Sequence, residues 1–257
     1  MKTDFEIGRE IEAKSALSQT GIPGFDYCLN PYVGCRHGCK YCYASFMKRF
    51  TGHTEQWGNF LDIRVNLPDI LAREVRRKKK GPVIISSVTD PYQPAESLYG
   101  VTRRCLIILV EAGWPVSILT KSPAVLQDID VIGRSSPAKG GIDVGITITS
   151  DDESIRKTFE PNAPPYQRRM ETLSELGEAG ISTYAFVGPI LPIADPARFA
   201  AELGRITDTV LLDRMNYIGK VRGLYLKKKL SGHLDPEYFE MVERVFRQEL
   251  GKKAEVL

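Results

Sequence analysis

Residues 30–43 read NPYVGCRHGCKYCY and hold three of the five cysteines in this 257-residue chain. Cys35, Cys39 and Cys42 follow the spacing Cys-x3-Cys-x2-Cys. A glycine stands directly before each of the first two cysteines, and glycine lets the backbone take the tight curves that bring three thiolates together. The stretch therefore predicts a metal site on a short loop.

Three thiolates leave one coordination position open. A structural zinc site normally takes four protein ligands, so zinc would need a fourth ligand such as His37 or His53. A four-iron cluster is usually held by four thiolates, and a missing thiolate exposes one iron to a small-molecule chelator. The motif therefore favours a four-iron cluster, with zinc as the alternative.

The composition is that of a globular protein, with 42% hydrophobic residues, 26% charged residues and a formal net charge of +3. We expect one domain over residues 1–257, with an N-terminal extension over about 1–24 and a C-terminal helical segment over about 214–257. The N-terminus does not resemble a signal peptide, and no stretch is long enough to cross a bilayer, so a cytoplasmic location is expected. In a reducing compartment an odd number of cysteines indicates metal ligation or catalysis rather than disulfides.

Short apolar, β-branched runs recur along the chain, and segments with helical spacing lie between them. These runs cover 82–87, 115–120, 142–149, 182–188 and 209–213. Strands that are apolar throughout are typical of parallel sheets covered by helices on both faces. With one more strand just before the cysteines, the pattern predicts an α/β fold, a partial (β/α)6 TIM-like barrel with parallel strands. The cysteine stretch would occupy the first loop at the C-terminal face, where barrel enzymes carry their chemistry.

Several blocks of sequence resemble a known family. The cysteine motif, with Tyr41 and Tyr43 around its last cysteine, resembles the signature of radical S-adenosylmethionine (radical SAM) enzymes. Within that superfamily the chain looks like the spore photoproduct lyase-like branch, often labelled DNA repair photolyase. This likeness covers roughly residues 9–195 and rests on the blocks EIEAKSALS, NPYVGCRHGCKYCYASFMKRFTGH, SSVTDPYQPAES, SILTKS, TFEPNAPPYQRR and FVGPILP.

The resemblance implies a 4Fe-4S cluster on Cys35, Cys39 and Cys42, with S-adenosyl-L-methionine bound to the open iron through its methionyl amine and carboxylate. It also implies that one-electron reduction, by a donor such as flavodoxin or ferredoxin, cleaves the sulfonium to a 5'-deoxyadenosyl radical that abstracts hydrogen from a substrate. The chain would then be a radical SAM enzyme. The competing class is a non-catalytic iron-sulfur or zinc protein that uses the barrel as a binding module.

Residues after the predicted strands are candidates for the cofactor pocket. Ser87 and Asp90 could accept hydrogen bonds from the methionyl ammonium, although Asp90 could instead form a turn. Lys121, by the family resemblance, would meet the cofactor's carboxylate, and an ordinary exposed lysine is the alternative. Thr147 and Thr149 lie on one face of the fourth strand and could contact the adenosine ribose.

The family comparison adds further candidates around the pocket. Glu160 and Arg168 flank a helix start, PNAPPYQR, and surface capping is the alternative for both. Gly188 follows the fifth strand, where related enzymes bring the backbone against the adenine. Tyr41 and Tyr43, beside the last cysteine, complete the set of candidate contacts.

The sequence names neither a substrate nor a catalytic residue. Two basic runs, 76–80 and 220–229, could bind a nucleic-acid backbone, although solvated helix ends explain the same charges. Three aromatic residues could stack on bases, namely Trp57, Tyr217 and Tyr225.

One position bears on which reaction the chain performs. Spore photoproduct lyase uses a cysteine near the end of its second strand to return a hydrogen atom, and that position falls on Ser87 here. Because a serine hydroxyl cannot replace the thiol as the donor, we expect this chain not to be a spore photoproduct lyase.

Overall fold

The computed structural model describes residues 8–135 and 141–257. The strands are β1 (Arg9–Ile11), β2 (Ser18–Gln19), β3 (Tyr27–Leu29), β4 (Tyr32–Gly34), β5 (Leu61–Arg64), β6 (Val83–Ile85), β7 (Val116–Thr120), β8 (Ile142–Thr147), β9 (Ser182–Val187), β10 (Thr209–Leu212) and β11 (Ala254–Val256). The α-helices are α1 (Leu67–Glu74), α2 (Glu96–Tyr99), α3 (Val101–Glu111), α4 (Ile129–Ile132), α5 (Glu153–Phe159), α6 (Tyr166–Glu178), α7 (Pro196–Ile206), α8 (Ile218–Lys227) and α9 (Pro236–Leu250). In the described part of the chain, no helix has both the length and the hydropathy of a membrane span.

The main sheet is mostly parallel. Over the described residues it has eight strands in the order β11-β10-β9-β8-β7-β6-β3-β2. Helical structure separates each of the strands β3, β6, β7, β8, β9 and β10 from the strand of this sheet that comes next along the chain. The predicted α/β fold, a partial TIM-like barrel of parallel strands, is confirmed. At the edges, β2 pairs antiparallel with β3, and β11 pairs parallel with β10.

The predicted strands are confirmed, each ending within two residues of its run in the sequence. They were recognisable because both of their faces are covered. All three residues of β6 are buried, and β8 has only one residue that is not. Burial of this kind selects apolar, β-branched side chains at every position of a strand rather than at alternate ones.

Two short strands precede the cysteines, where one was expected. The first, β3, lies beside β6 in the main sheet. The second, β4, ends directly before Cys35 and pairs antiparallel with β5 in a small sheet of order β1-β5-β4. The basic run 76–80 begins just beyond the end of α1, where positive charge faces the last carbonyl groups of a helix.

The chain divides into two compact units. Unit 1 contains the chain up to Arg36, Ala44–Thr120 and Gln127–Ile142. Its N-terminal segment is tied to the start of α1, because Asn66 Oδ1 accepts from the Ala13 amide at 2.8 Å and Asn66 Nδ2 donates to the Ala13 carbonyl at 3.1 Å.

Unit 2 contains His37–Tyr43, Lys121–Leu126 and Asp143–Leu257. The final helix predicted from Pro236 is confirmed as α9, and it packs against α7 and β11. The rings of Phe199 and Phe246 meet edge to face at 5.8 Å between these helices. Hydrophobic packing thus holds the last helix against the rest of unit 2.

Gly34, the last residue of β4, has a left-handed φ of +87° and no room for a side chain. A Cβ there would lie 2.6 Å from the Phe60 carbonyl oxygen and 2.7 Å from its ring. Gly24 has a similar φ of +84°, but nothing lies within 4 Å of its Cβ position. A side chain at Gly24 would meet backbone strain alone, whereas a side chain at Gly34 would meet both backbone strain and a steric clash.

Gly34→Ala should lower the free energy of unfolding by about 3 kcal/mol or more, because strain at positive φ and the clash with Phe60 add together. Gly24→Ala, the matched control, should cost about 1 kcal/mol from strain alone. Urea denaturation of the two variants measures the difference. Equal losses would contradict the close approach of Phe60 to position 34.

Candidate cofactor site

The first cysteine of the motif is held by a buried glutamine of unit 1. Gln93 Nε2 donates to Cys35 Sγ at 3.2 Å, and Gln93 Oε1 accepts from the Arg36 amide at 2.9 Å. Gln93 is 1% exposed and Cys35 is 8% exposed. Gln93 thus bridges the Cys35 sulfur and the next backbone amide, which fixes the position of Cys35 Sγ within unit 1.

The loop after β6 is folded against the connection between β3 and β4. Asn30 Oδ1 accepts from the amides of Ser87 and the following residue at 3.0 and 3.1 Å, and Asn30 Nδ2 donates to Ser87 Oγ at 3.1 Å. Thr89 Oγ1 donates to the Gly34 carbonyl at 2.6 Å. Ser86 has a φ of +81°, which non-glycine residues rarely adopt. These hydrogen bonds hold the loop in a conformation that its sequence alone would not favour.

Asp90 forms the turn that was the alternative to cofactor binding. It is buried, and its Oδ1 accepts from the Tyr92 amide at 2.9 Å, as in an Asx turn, and from Thr120 Oγ1 at 2.7 Å. Ser87 and Asp90 thus both have protein partners. Their contact with a cofactor stays a prediction.

The second half of the motif is buried in unit 2. Cys39 and Tyr41 belong to an apolar cluster against which Cys42 packs. The other fully buried members of this cluster are Phe159, Leu191, Val221 and Tyr225. Apolar walls of this kind exclude water from a ligand site.

Glu160 lies at the centre of a buried polar network in unit 2. Its Oε1 accepts from the Tyr41 hydroxyl and from Thr149 Oγ1, the latter at 3.2 Å, and its Oε2 accepts from Arg169. The Lys121 ammonium lies 3.8 Å from Oε1. Two cations, Arg169 and Lys121, therefore lie around this one buried carboxylate.

The surroundings fix the protonation states of this network. Burial alone would raise the pKa of Glu160, but Arg169 and Lys121 outweigh burial and bring the pKa to about 2. Burial, reinforced by Cys39 and Glu160, raises the pKa of Tyr41 well above its ordinary range. Glu160 is therefore a carboxylate, and Tyr41 is a protonated donor to it.

The predicted contact residue Arg168 does not lie in this network. Its side chain is about half exposed and pairs with Glu171 on the surface of α6. The next residue, Arg169, is 1% exposed, pairs with Glu160 and also donates to the Thr147 carbonyl at 3.0 Å. Consecutive residues of a helix point about 100° apart, so only one of two adjacent arginines can face inward. The structure brings Arg169, not Arg168, to Glu160.

The other predicted contacts occupy different surroundings. Lys121 is largely buried, with its ammonium 5.9 Å from the centre of the Tyr41 ring. Tyr43 is 38% exposed and its ring stacks on Tyr217 at 5.6 Å. Thr147 and Thr149 are both buried at the end of β8. At Gly188 a Cβ would lie 2.3 Å from the Phe186 ring, so packing within the protein already requires glycine there.

The donor set fits an iron-sulfur cluster. None of the five cysteines, all of which lie in the described part of the chain, forms a disulfide, and thiolates are the ligands that such clusters take. Among the side chains of residues 8–135 and 141–257, no three from His, Cys, Asp and Glu converge as the ligands of a single metal ion. A four-iron cluster differs from a single ion because each thiolate binds its own iron. The three thiols of the motif are therefore a donor set of the type that such a cluster takes.

His53, one alternative zinc ligand, has other partners in unit 1. Its Nε2 lies 3.0 Å from Asp62 Oδ1, and its Nδ1 lies 3.1 Å from Glu55 Oε2. The ring also stacks on Phe60 at 4.2 Å. His53 would have to give up one of these partners to bind zinc.

Gln93 and Arg169 were not predicted from the sequence. The bond from Gln93 to Cys35 joins residues 58 positions apart, so no local pattern announces it. Arg169 does carry a signal, because it shares its helix face with three buried residues, Thr172, Leu173 and Leu176. An arginine on the apolar stripe of a helix requires a buried partner, and Glu160 is that partner.

This chain is similar to several known proteins. The family model of the Radical SAM superfamily matches residues 29–201. An uncharacterized protein of Methanocaldococcus jannaschii is 33% identical over 244 residues, which cover 95% of this chain and 88% of that protein. A Radical SAM Nalpha-GlyT isomerase of Pseudomonas phage M6 is 27% identical over 166 residues, 63% of this chain and 32% of the isomerase. A spore photoproduct lyase variant with bound AdoMet and dinucleoside spore photoproduct has the same fold, with a TM-score of 0.69 at 15% identity, covering 96% of this chain and 80% of the lyase.

Arg169→Leu should lower the free energy of unfolding by about 3 to 5 kcal/mol, because it leaves Glu160 as a poorly compensated buried charge. Thr149→Val removes one neutral donor to the same carboxylate and should cost about 1 kcal/mol. Urea denaturation near pH 7 measures both. A loss for Arg169→Leu no larger than that for Thr149→Val would contradict the pairing.

Acid should weaken the same network. Because the pKa of Glu160 is about 2 in the folded chain and 4.5 ordinarily, the unfolded chain binds a proton first as the pH falls. The stabilisation from ionised Glu160 should be complete above about pH 4.5 and lost as the pH approaches about 2. Glu160→Gln has no carboxyl group that can take up a proton. The difference in free energy of unfolding between this variant and the wild type, measured by urea denaturation, should therefore shrink as the pH falls through this window. A constant difference would contradict the assigned charge.

Proposed function

Because this chain belongs to the radical SAM superfamily, we propose that Cys35, Cys39 and Cys42 hold a 4Fe-4S cluster whose fourth iron binds S-adenosyl-L-methionine. The observation that carries this proposal is the Cys-x3-Cys-x2-Cys loop inside the matched residues 29–201. The chain is a radical SAM enzyme, and its specific reaction is open. When bound, the cluster and S-adenosylmethionine supply a 5'-deoxyadenosyl radical for hydrogen abstraction.

Residues of the chain would hold the cluster and exclude water from it. Gln93 donates to the Cys35 sulfur, and the apolar cluster around Cys39 excludes water. Lys121 is our candidate for the cofactor's carboxylate, because it is a cation that directly follows β7, where barrel enzymes bind ligands. Its ammonium would pair with that carboxylate.

Ser87, Asp90, Thr147, Thr149 and Gly188 remain candidates for the ammonium, the ribose and the adenine of the cofactor. Each follows or ends a strand of the main sheet, which is where barrel enzymes bind ligands. A flavodoxin or ferredoxin is the expected electron donor. A cytoplasmic location, where thiols stay reduced, suits these ligands.

Nucleic acid is the substrate class that we propose. Tyr43 and Tyr217 form a stacked, partly exposed aromatic pair, and exposed lysines follow on α8 and just after it. Stacking surfaces next to cations bind bases and phosphates. The expectation that Tyr225 stacks on a base was wrong, because Tyr225 is fully buried. The spore photoproduct lyase structure, which contains a dinucleoside ligand, supports the same class.

Anaerobic reconstitution with iron and sulfide, followed by dithionite and S-adenosylmethionine, should yield 5'-deoxyadenosine by chromatography. Cys39→Ala should abolish the nucleoside, because the cluster loses a ligand. Cys105→Ala is the control, since Cys105 is a fully buried core residue outside the motif and should leave the product unchanged. A wild-type chain that binds only zinc would refute the proposal.

DNA or RNA binding should weaken when Lys227, Lys228 and Lys229 are changed to Gln, and the dependence of log Kd on log salt should become flatter. Three other exposed cations of unit 2 provide a control with the same loss of charge: Arg205, Arg244 and Lys252. Fluorescence anisotropy over a salt series measures both triple variants. If both triple variants weaken binding equally, net charge alone explains the binding. If the wild type does not bind nucleic acid at low salt, nucleic acid is excluded as the substrate class.

A further inference from the structure

The turn that follows α5 is joined to the second half of the cysteine loop. Within unit 2, the Lys40 amide donates to the Phe159 carbonyl at 2.8 Å, and the Asn162 amide donates to the His37 carbonyl at 3.3 Å. The Tyr41 hydroxyl donates to Glu160 between these two bonds. Residues 37–41 and 159–162 are thus connected at three successive points.

Two buried arginines fix the shape of this turn. Arg156 NH1 donates to the Glu160 carbonyl at 3.0 Å and to the Ala163 carbonyl at 2.7 Å. Arg169 Nε donates to the Pro164 carbonyl at 2.9 Å, while its NH2 pairs with the Glu160 carboxylate. The turn is therefore a rigid support rather than a mobile connection.

Glu160 has no need of a ligand to satisfy its carboxylate. Both oxygens accept from protein donors, and the side chain is fully buried. A carboxylate in this position acts on the site through the groups that it holds. The group that it holds in the cysteine loop is Tyr41, which lies between two proposed cluster ligands.

We propose that Glu160 is the positioning residue of the cluster loop, holding Cys39 and Cys42 through the Tyr41 hydroxyl and lowering the electrostatic potential beside Cys39. This rests on the proposed function, because it assigns a role toward the cluster. It differs from the expectation that Glu160 contacts the cofactor. Arg169 interacts electrostatically with both Glu160 and Cys39, so the carboxylate and the sulfur share one cationic neighbour.

Two variants separate position from charge. Tyr41→Phe removes only the hydroxyl that joins the loop to Glu160, so a chelator should extract iron from the reconstituted protein about tenfold faster, with little change in the cluster's midpoint potential. Glu160→Gln removes a negative charge and leaves Arg169 and Lys121, so the midpoint potential should become less negative, because positive charge stabilises the reduced cluster. Iron release and a redox titration followed by electron paramagnetic resonance (EPR) give these readouts.

Asp128→Asn is the matched control. Asp128 is a fully buried carboxylate of unit 1 that also joins a tyrosine and an arginine, with Tyr92 Oη at 3.0 Å and Arg103 NH1 at 2.7 Å. Its loss should destabilise the protein, yet leave iron release and midpoint potential as in the wild type. A purely structural role of Glu160 would give the same result as this control.

The outcomes distinguish the inference from the proposed function. A wild-type chain that takes up no iron overturns both. A wild-type chain that binds the cluster and forms 5'-deoxyadenosine, with wild-type iron release in Tyr41→Phe and a wild-type potential in Glu160→Gln, overturns the inference alone. If Glu160→Gln does not fold, Tyr41→Phe decides, because unchanged iron release in that variant overturns the role of Glu160.

Discussion

A buried carboxylate must be compensated, and in unit 2 this constraint falls on Glu160. An unpaired charge at a fully buried position would cost several kcal/mol, so the fold has to deliver donors from distant parts of the chain. Arg169 comes from α6, Lys121 from the segment after β7, and Tyr41 from the cysteine loop. Satisfying one charge thereby fixes three separate segments of unit 2.

In the cysteine loop, local sequence determines the spacing of the thiols, whereas contacts with distant residues hold the loop in place. The spacing of the cysteines and their glycines is local, and it indicated a metal loop without any structure. What holds the loop is not local: Gln93 reaches Cys35, and the Phe159 carbonyl reaches the Lys40 amide. Contacts between residues so far apart in sequence form only in the folded chain, so local sequence does not predict them. A radical site requires this rigidity, because ligands must stay in place and water must stay out.

The sequence predicted the architecture well, because burial on both faces leaves a plain apolar signature in the central strands β6 to β9 of the main sheet. It predicted side-chain roles less well. Arg168 was the arginine named from the sequence, and Arg169, which pairs with Glu160, was not considered. The position of a helix start does not fix which of two adjacent arginines faces inward. Tyr225 looked like a surface aromatic next to lysines, although it is fully buried on the inner face of α8. The periodicity of α8, with Val221 and Tyr225 four residues apart, contained that information.

Three thiolates would leave one iron of a 4Fe-4S cluster open for S-adenosylmethionine. The most direct measurement is the EPR spectrum of the anaerobically reconstituted, reduced protein before and after S-adenosylmethionine is added. We expect the spectrum of a reduced 4Fe-4S cluster whose g-values shift when S-adenosylmethionine is added. A cluster whose spectrum does not respond to S-adenosylmethionine would show that no iron is open to the cofactor.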